Sequence, residues 1–386
     1  MTERILLGPG PSPVSARVMR AMAAPVLGHL DPVFIEMVDE IRSRLGRVFR
    51  SGEGALTLAI SGTGTSGLET AVANLVSEKT RVLAVVTGYF GERLASVCER
   101  HGATVERLDV EWGRACDPEA VRQALSSNGA DVVAVVHAET STGVLNPINQ
   151  ICREARTHGA LTIVDAVTSL GAHPLEVDQW QVDACYSCSQ KGLGGPSGLA
   201  PLAFSPRALE ARIQPRSFYF DLQLIEDYWL RYKYHHTISA PLIYALHECL
   251  RAVEEEGLEP RWARHQRHHG VLVEGLKAMG LELLPPQSER LWTLNAIKVP
   301  SGIDEAAVRQ HLLEEFSMEV GSGLGPLAGQ IWRVGLMGDG STRSLILLFL
   351  AALESALRAQ GHQVSPGAGT AAAVDALSAV TREVVV

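Results

Sequence analysis

The sequence predicts an α/β protein: a large domain with a mainly parallel seven-stranded sheet, followed by a small α+β C-terminal domain. Three observations carry this. Short, nearly continuous apolar runs recur between residues 55 and 205, and helix-length segments separate several of them. After about residue 240 the alternation stops and long helical stretches take over. Strands apolar on both faces need cover on both faces, and helical crossovers supply that cover in a parallel sheet.

The strands are expected at "ALTLAIS" (55–61), "RVLAVVT" (81–87), "ATVERLD" (103–109), "DVVAVVH" (131–137), "ALTIVDA" (160–166), "VDACYS" (182–187) and "LAPLAFS" (199–205). Between them, "GERLASVCERHG" (91–102) and "PINQICREARTHG" (147–159) have helical length. A connecting helix is expected over 240–257 and a second long helix over 260–280. The small domain then reads strand 291–300, helix 304–316, strand 331–338 and helix 341–361. Residues 1–20 form an N-terminal segment joining the small domain and the active site, 21–258 the large domain and 259–362 the small one. The tail, 363–386, is rich in small residues and is expected to be partly disordered or a weak helix.

Composition narrows the function classes. The chain has 386 residues, 46% hydrophobic and 20% charged, with net charge −9. It has no dense Lys/Arg run, which argues against a nucleic-acid surface. No apolar run of about 20 residues exists to cross a membrane. The six cysteines are scattered. Cys185 and Cys188 have CxxC spacing but no second pair accompanies them, so reduced thiols in a cytoplasmic protein are expected and no metal. His265, His268 and His269 resemble a metal site by composition, but are read as a solvated helix face.

Three stretches carry chemistry. In "ISGTGTSGLETAVANL" (60–75) a strand ends at Ser61, glycine-rich backbone follows, and a helix starts near Thr65. A helix N-terminus of this kind suits a phosphate, though a plain tight turn has the same composition. Asp165 ends an apolar strand, where ligand sites of parallel sheets gather, and where a helix cap is the plain alternative. Lys191 follows another strand and is bounded by glycines in "SQKGLGGPSG". A partly desolvated lysine can serve as a neutral amine nucleophile, whereas a solvated loop lysine does nothing. Together, a phosphate cradle, a strand-end carboxylate and a downstream lysine are what pyridoxal 5'-phosphate requires. The lysine holds its aldehyde as a Schiff base and the carboxylate keeps its ring nitrogen protonated.

These stretches, with "LLGPGPSPVSARVM" (6–19), "AETSTGV" (138–144), "YHHTIS" (234–239), "GLGPLAG" (323–329) and "IWRVGLMG" (331–338), resemble the class V, fold-type I aminotransferases of the alanine–glyoxylate/serine–pyruvate group. The resemblance implies a homodimeric transaminase that moves an amino group from a small amino acid to a 2-oxo acid, glyoxylate or pyruvate, by a ping-pong mechanism. By position it implies that Lys191 and Asp165 are catalytic. Ser61, Gly62, Thr63 and Gln190 would hold the phosphate. Thr140 would sit near the phenolic oxygen, and Val167 and Phe90 on the two ring faces. Tyr234 and Thr237 would reach the neighbouring subunit's phosphate, with His235 and His236 near the dimer interface. Arg333 and Gly10 would bind the substrate carboxylate. Other stretches, including "APVLGHLDPVF" (24–34) and "GPLAGQIWR" (325–333), are similar to the bacterial (S)-ureidoglycine–glyoxylate aminotransferases. Those enzymes resemble one another in carrying Gln and Asn where this chain has His29 and Tyr234. Losing two amides should remove hydrogen bonds to a ureido group. An alanine or serine donor is therefore expected, with ureidoglycine, or the substrate of a related class V transaminase in a specialised biosynthetic pathway, as the alternative.

Overall fold

The computed structural model describes residues 3–383. Its main sheet has seven strands in the order Leu56–Ser61, Leu199–Phe204, Ala184–Tyr186, Leu161–Asp165, Val132–Val136, Arg81–Val86 and Thr104–Asp109. All seven apolar runs find a place in it. Leu199–Phe204 is antiparallel to both its neighbours, and the other pairs are parallel. Its residues are buried throughout, as are those of Val132–Val136, so both faces are covered.

Helices supply that cover. Gly64–Leu75 packs on Ala184–Tyr186 and Leu199–Phe204, and Tyr89–Arg100 packs on Arg81–Val86. Pro32–Phe49 and Pro118–Asn128 were not anticipated, yet each starts with Asp followed by Pro. In both, the aspartate accepts a backbone N–H from two residues on, and proline occupies the first turn, where its missing N–H does no harm.

Register brings the site together. Val136 lies opposite Asp165, and Asp165 opposite Tyr186, so three neighbouring strands end at one level. The opening beyond those ends is where an open parallel sheet offers a crevice.

The connecting helix Ala240–Glu256 stops at Gly257, whose φ of +81° suits glycine. Beyond it, Leu294–Lys298, Ile331–Gly335 and Gly321–Ser322 form a three-stranded antiparallel sheet with its own buried core. Ile5–Leu6 pairs in parallel with Met318–Glu319, which docks the N-terminal segment on this part of the molecule. Ala368–Glu383, in the tail, is a helix against Leu258–Ala278. A Cβ at Gly275 would stand 2.9 Å from the Gly369 carbonyl oxygen, so the missing side chain permits the approach.

One expectation is corrected. His265, His268 and His269 are buried, not solvated. Leu258–Ala278 presses one face inward, and its buried stripe runs through Trp262, His265, His269, Leu272 and Leu276 at spacings of three and four. The histidines occupy core positions of that stripe. The Nδ1 of each ring has a partner: His265 with Arg261 O, His268 with Ser341 Oγ and His269 with Asn295 Oδ1.

Candidate active site

The pocket above the strand ends is lined by Thr63, Gly64, Thr65, Phe90, Thr140, Asp165, Val167, Gln190 and Lys191, among others. Asp165 is the last residue of its strand. Its Oδ1 accepts the Val167 N–H at 2.8 Å, and its Oδ2 accepts the Tyr186 hydroxyl at 2.8 Å. Burial pushes the carboxyl up to about 6, and those two hydrogen bonds offset only part of the rise.

Lys191 sits in the turn after Ala184–Tyr186. Its Nζ donates to the Pro9 carbonyl, bringing the N-terminal segment across the pocket. Burial lowers the ammonium's pKa, and Arg333 also pushes it down. Gly10 has φ +116°, and a Cβ there would lie 2.5 Å from Lys191 Cε. Only a glycine leaves room for the lysine stem at this crossing.

Arg333 lies in Ile331–Gly335. Its Nε donates to Ser322 O at 2.6 Å and its Nη1 to Thr140 O at 3.3 Å. It is largely buried without an ion-pair partner among the described residues, and burial lowers its pKa to about 10. A buried, unpaired guanidinium is costly unless an anion completes it.

Of the residues the sequence suggested for the phosphate, Thr63 and Gln190 line the pocket. Ser61 Oγ pairs with His236 Nε2 at 2.7 Å, and the Gly62 N–H donates to Gly198 O. Neither lines the pocket. Thr63, Gly64 and Thr65 do, at the N-terminus of Gly64–Leu75, whose first turn points N–H groups outward. His29, Tyr234 and Thr237 lie elsewhere: the His29 and Tyr234 rings are 5.3 Å apart on the outer surface, and Tyr234 is 63% exposed.

Other residues escaped the sequence reading. Tyr186 could have been found from its register opposite Asp165. Glu139 is fully buried beside Thr140; it accepts the backbone N–H groups of Gly91 and Ser141 and the Ser141 hydroxyl. An acid inside the apolar run before "TSTG" was its signal. Arg93 also lines the pocket, its guanidinium over the rings of Tyr89 and Phe90.

Residues 11–336 match the class-V aminotransferase family. The chain belongs to that family. This class-V aminotransferase is 38% identical to the ureidoglycine–glyoxylate aminotransferase of Bacillus subtilis, whose crystal structure superposes with a TM-score of 0.96 over 98% of this chain and 99% of that one. The alanine–glyoxylate aminotransferase of Nostoc sp. is 44% identical, with a TM-score of 0.91 over 93% and 96% of the two chains. The alanine–glyoxylate aminotransferase of Drosophila melanogaster is 37% identical over 92% of this chain and 93% of its own. The protein is thus a pyridoxal-phosphate-dependent transaminase of fold type I.

The pocket fits that cofactor. Gln190 Oε1 is buried without a hydrogen-bond partner among the described residues, and turning the amide over would offer its N–H2 to an anion instead. Asp165 is a buried carboxyl whose two hydrogen bonds leave it short of a cation, and a pyridinium N–H is one. Thr63, Gly64 and Thr65 offer a phosphate a helix N-terminus.

Proposed function

We propose that this enzyme transfers an amino group from alanine or serine to glyoxylate or pyruvate. The observation that carries the reading is the meeting of an amine, Lys191, and a largely buried unpaired guanidinium, Arg333, at the pocket that holds Asp165.

When bound, pyridoxal phosphate supplies an aldehyde and an electron-accepting ring. Around it, Asp165 would hold a proton on the ring nitrogen, and Phe90 and Val167 would flank the ring. Thr63, Gly64, Thr65 and Gln190 would hold the phosphate, and Thr140 would lie by the phenolic oxygen. Arg333, with backbone near Gly10, orients the donor carboxylate by paired N–H bonds. Lys191 Nζ, its pKa lowered by burial, would remove the Cα proton of the donor and later return one to the acceptor carbon. Tyr234 and Thr237 are exposed, as are the apolar Val26 and Phe218 at 72% and 69%, and this exposure supports a homodimer in which both residues reach the partner's phosphate.

A second reading, ureidoglycine as donor, is favoured by the near-complete superposition on the Bacillus subtilis enzyme. Against it, His29 and Tyr234 carry no amide. The test is initial rates of alanine, serine and (S)-ureidoglycine against glyoxylate. Alanine or serine is expected to exceed ureidoglycine in kcat/KM; the reverse order would replace the first reading by the second. Lys191→Ala should abolish the visible absorbance of the lysine-linked cofactor and nearly all turnover; survival of both would refute the role given to Lys191.

A further inference from the structure

Arg261 is a charged residue the chemistry above does not use, and it is 3% exposed. Its Nε donates to Gly171 O at 2.9 Å and its Nη2 to Gly192 O at 2.8 Å. Gly171 closes the turn that begins at Asp165, and Gly192 directly follows Lys191. The two loops touch backbone to backbone: a Cβ at Gly192 would lie 2.4 Å from the Leu170 carbonyl oxygen. One planar guanidinium therefore pins the aspartate loop to the lysine loop from behind the pocket.

The third arm of Arg261 reaches Glu256 Oε2 at 2.6 Å. The same carboxylate accepts from Arg264 Nε at 2.6 Å and from its Nη2 at 3.0 Å. Arg264 Nη1 in turn donates to Ser341 O at 2.8 Å and Gly338 O at 3.2 Å, in the loop following the strand that bears Arg333. His265 Nε2 accepts the Gly338 N–H, and a Cβ at Gly338 would stand 3.2 Å from Lys191 O. Three loops, one after the strand that ends in Asp165, one holding Lys191 and one after the strand that bears Arg333, thus converge on one ion cluster outside the pocket.

We propose that Arg261, coupled through Glu256 to Arg264, is the positioning residue that sets the spacing of Lys191 against Asp165 and Arg333. It touches neither cofactor nor substrate. Its effect is on geometry, and displacement of reacting groups by about 1 Å can cost on the order of a hundredfold in rate.

The test uses the cofactor-loaded enzyme with Arg261→Lys, which keeps charge but loses the fork, and Glu256→Gln, which keeps shape but loses charge. Two readouts separate positioning from mere folding. One is the isotope effect on kcat with alanine deuterated at Cα, or with deuterated serine if alanine is not turned over. The other is the pH midpoint of the bound cofactor's visible absorbance without donor, which reports the surroundings of Lys191 whatever the true substrate is. Arg261→Lys is expected to lower kcat at least about tenfold, to leave donor KM within about threefold and to shift the absorbance midpoint. Glu256→Gln should shift both readouts in the same direction by less. If Arg261→Lys does not fold, Glu256→Gln decides alone. A parental isotope effect and a parental absorbance midpoint in every folded variant would overturn the proposal, whatever happens to melting temperature.

Discussion

Asp165 concentrates the site's conflict between stability and chemistry. An apolar strand carries it into a buried place where ionisation is penalised, and its folded value of about 6 lies above the ordinary 3.8. Between those values the folded chain keeps a proton that the unfolded chain has lost, so stability falls as pH rises through that window. At 1.36 kcal/mol per pKa unit, the loss is about 3 kcal/mol above pH 6. Asp165→Asn keeps the shape and drops the charge. Without cofactor, the variant should melt above its parent at pH 8, with the gap narrowing by roughly half at pH 5 in calorimetry. Its turnover should fall on the order of a hundredfold, because a neutral amide does not hold the ring-nitrogen proton. Gly10 is a second single-residue test. Gly10→Ala meets both the positive φ and the Lys191 stem, and should lower kcat about tenfold or more while circular dichroism stays parental.

Among the elements, Leu258–Ala278 matters most for the site's surroundings. Arg261 and Arg264 grip the loops, and His265, His268 and His269 fill core positions of the same stripe. Burial, as the largest cause, depresses all three histidines, His265 to about 3 and the other two to about 4. Such groups contribute fully above their unfolded value of about 6.5, and that contribution is lost as pH falls from there to the folded values. At pH 5 each would cost roughly 1–2 kcal/mol. Melting curves of His268→Gln and His269→Gln should therefore lose less between pH 7 and pH 5 than those of the parent. A parental slope in both would mean the rings do not govern acid sensitivity. The periodic pattern placed this helix but not its inward face, because polar residues at core spacing read as solvent-facing until their partners, Ser341 and Asn295, are known.

For the whole molecule, the open question is assembly. Val26, Leu30, Val33, Phe218, Tyr219 and Tyr234 are large and exposed. In the proposed homodimer this surface is buried and Tyr234 and Thr237 complete the partner's phosphate site. Phe218→Glu would place a charge in that contact. Light scattering should then show a smaller particle, and cofactor should be lost on dilution. A variant that keeps the parental mass and retains its cofactor would argue that the patch serves something else.

Read alone, the chain determined the sheet, its strands and the identity of the chemical groups. Continuous apolar runs have one stable use, and an amine, a strand-end carboxylate and a glycine-rich turn in that order are hard to combine otherwise. The family resemblance added Arg333 and the aromatic ring partners. What only the tertiary structure decided was distance. It set Ser61 against His236 from a remote segment and brought Thr63, Gly64 and Thr65 to the pocket wall. It placed Pro9 and Gly10 against Lys191 across 182 positions of chain. It also drew Gly171, Gly192 and Gly338 around one pair of arginines. Local pattern encodes which face of an element is buried; which remote backbone meets it depends on how whole layers pack, and no short window of sequence contains that.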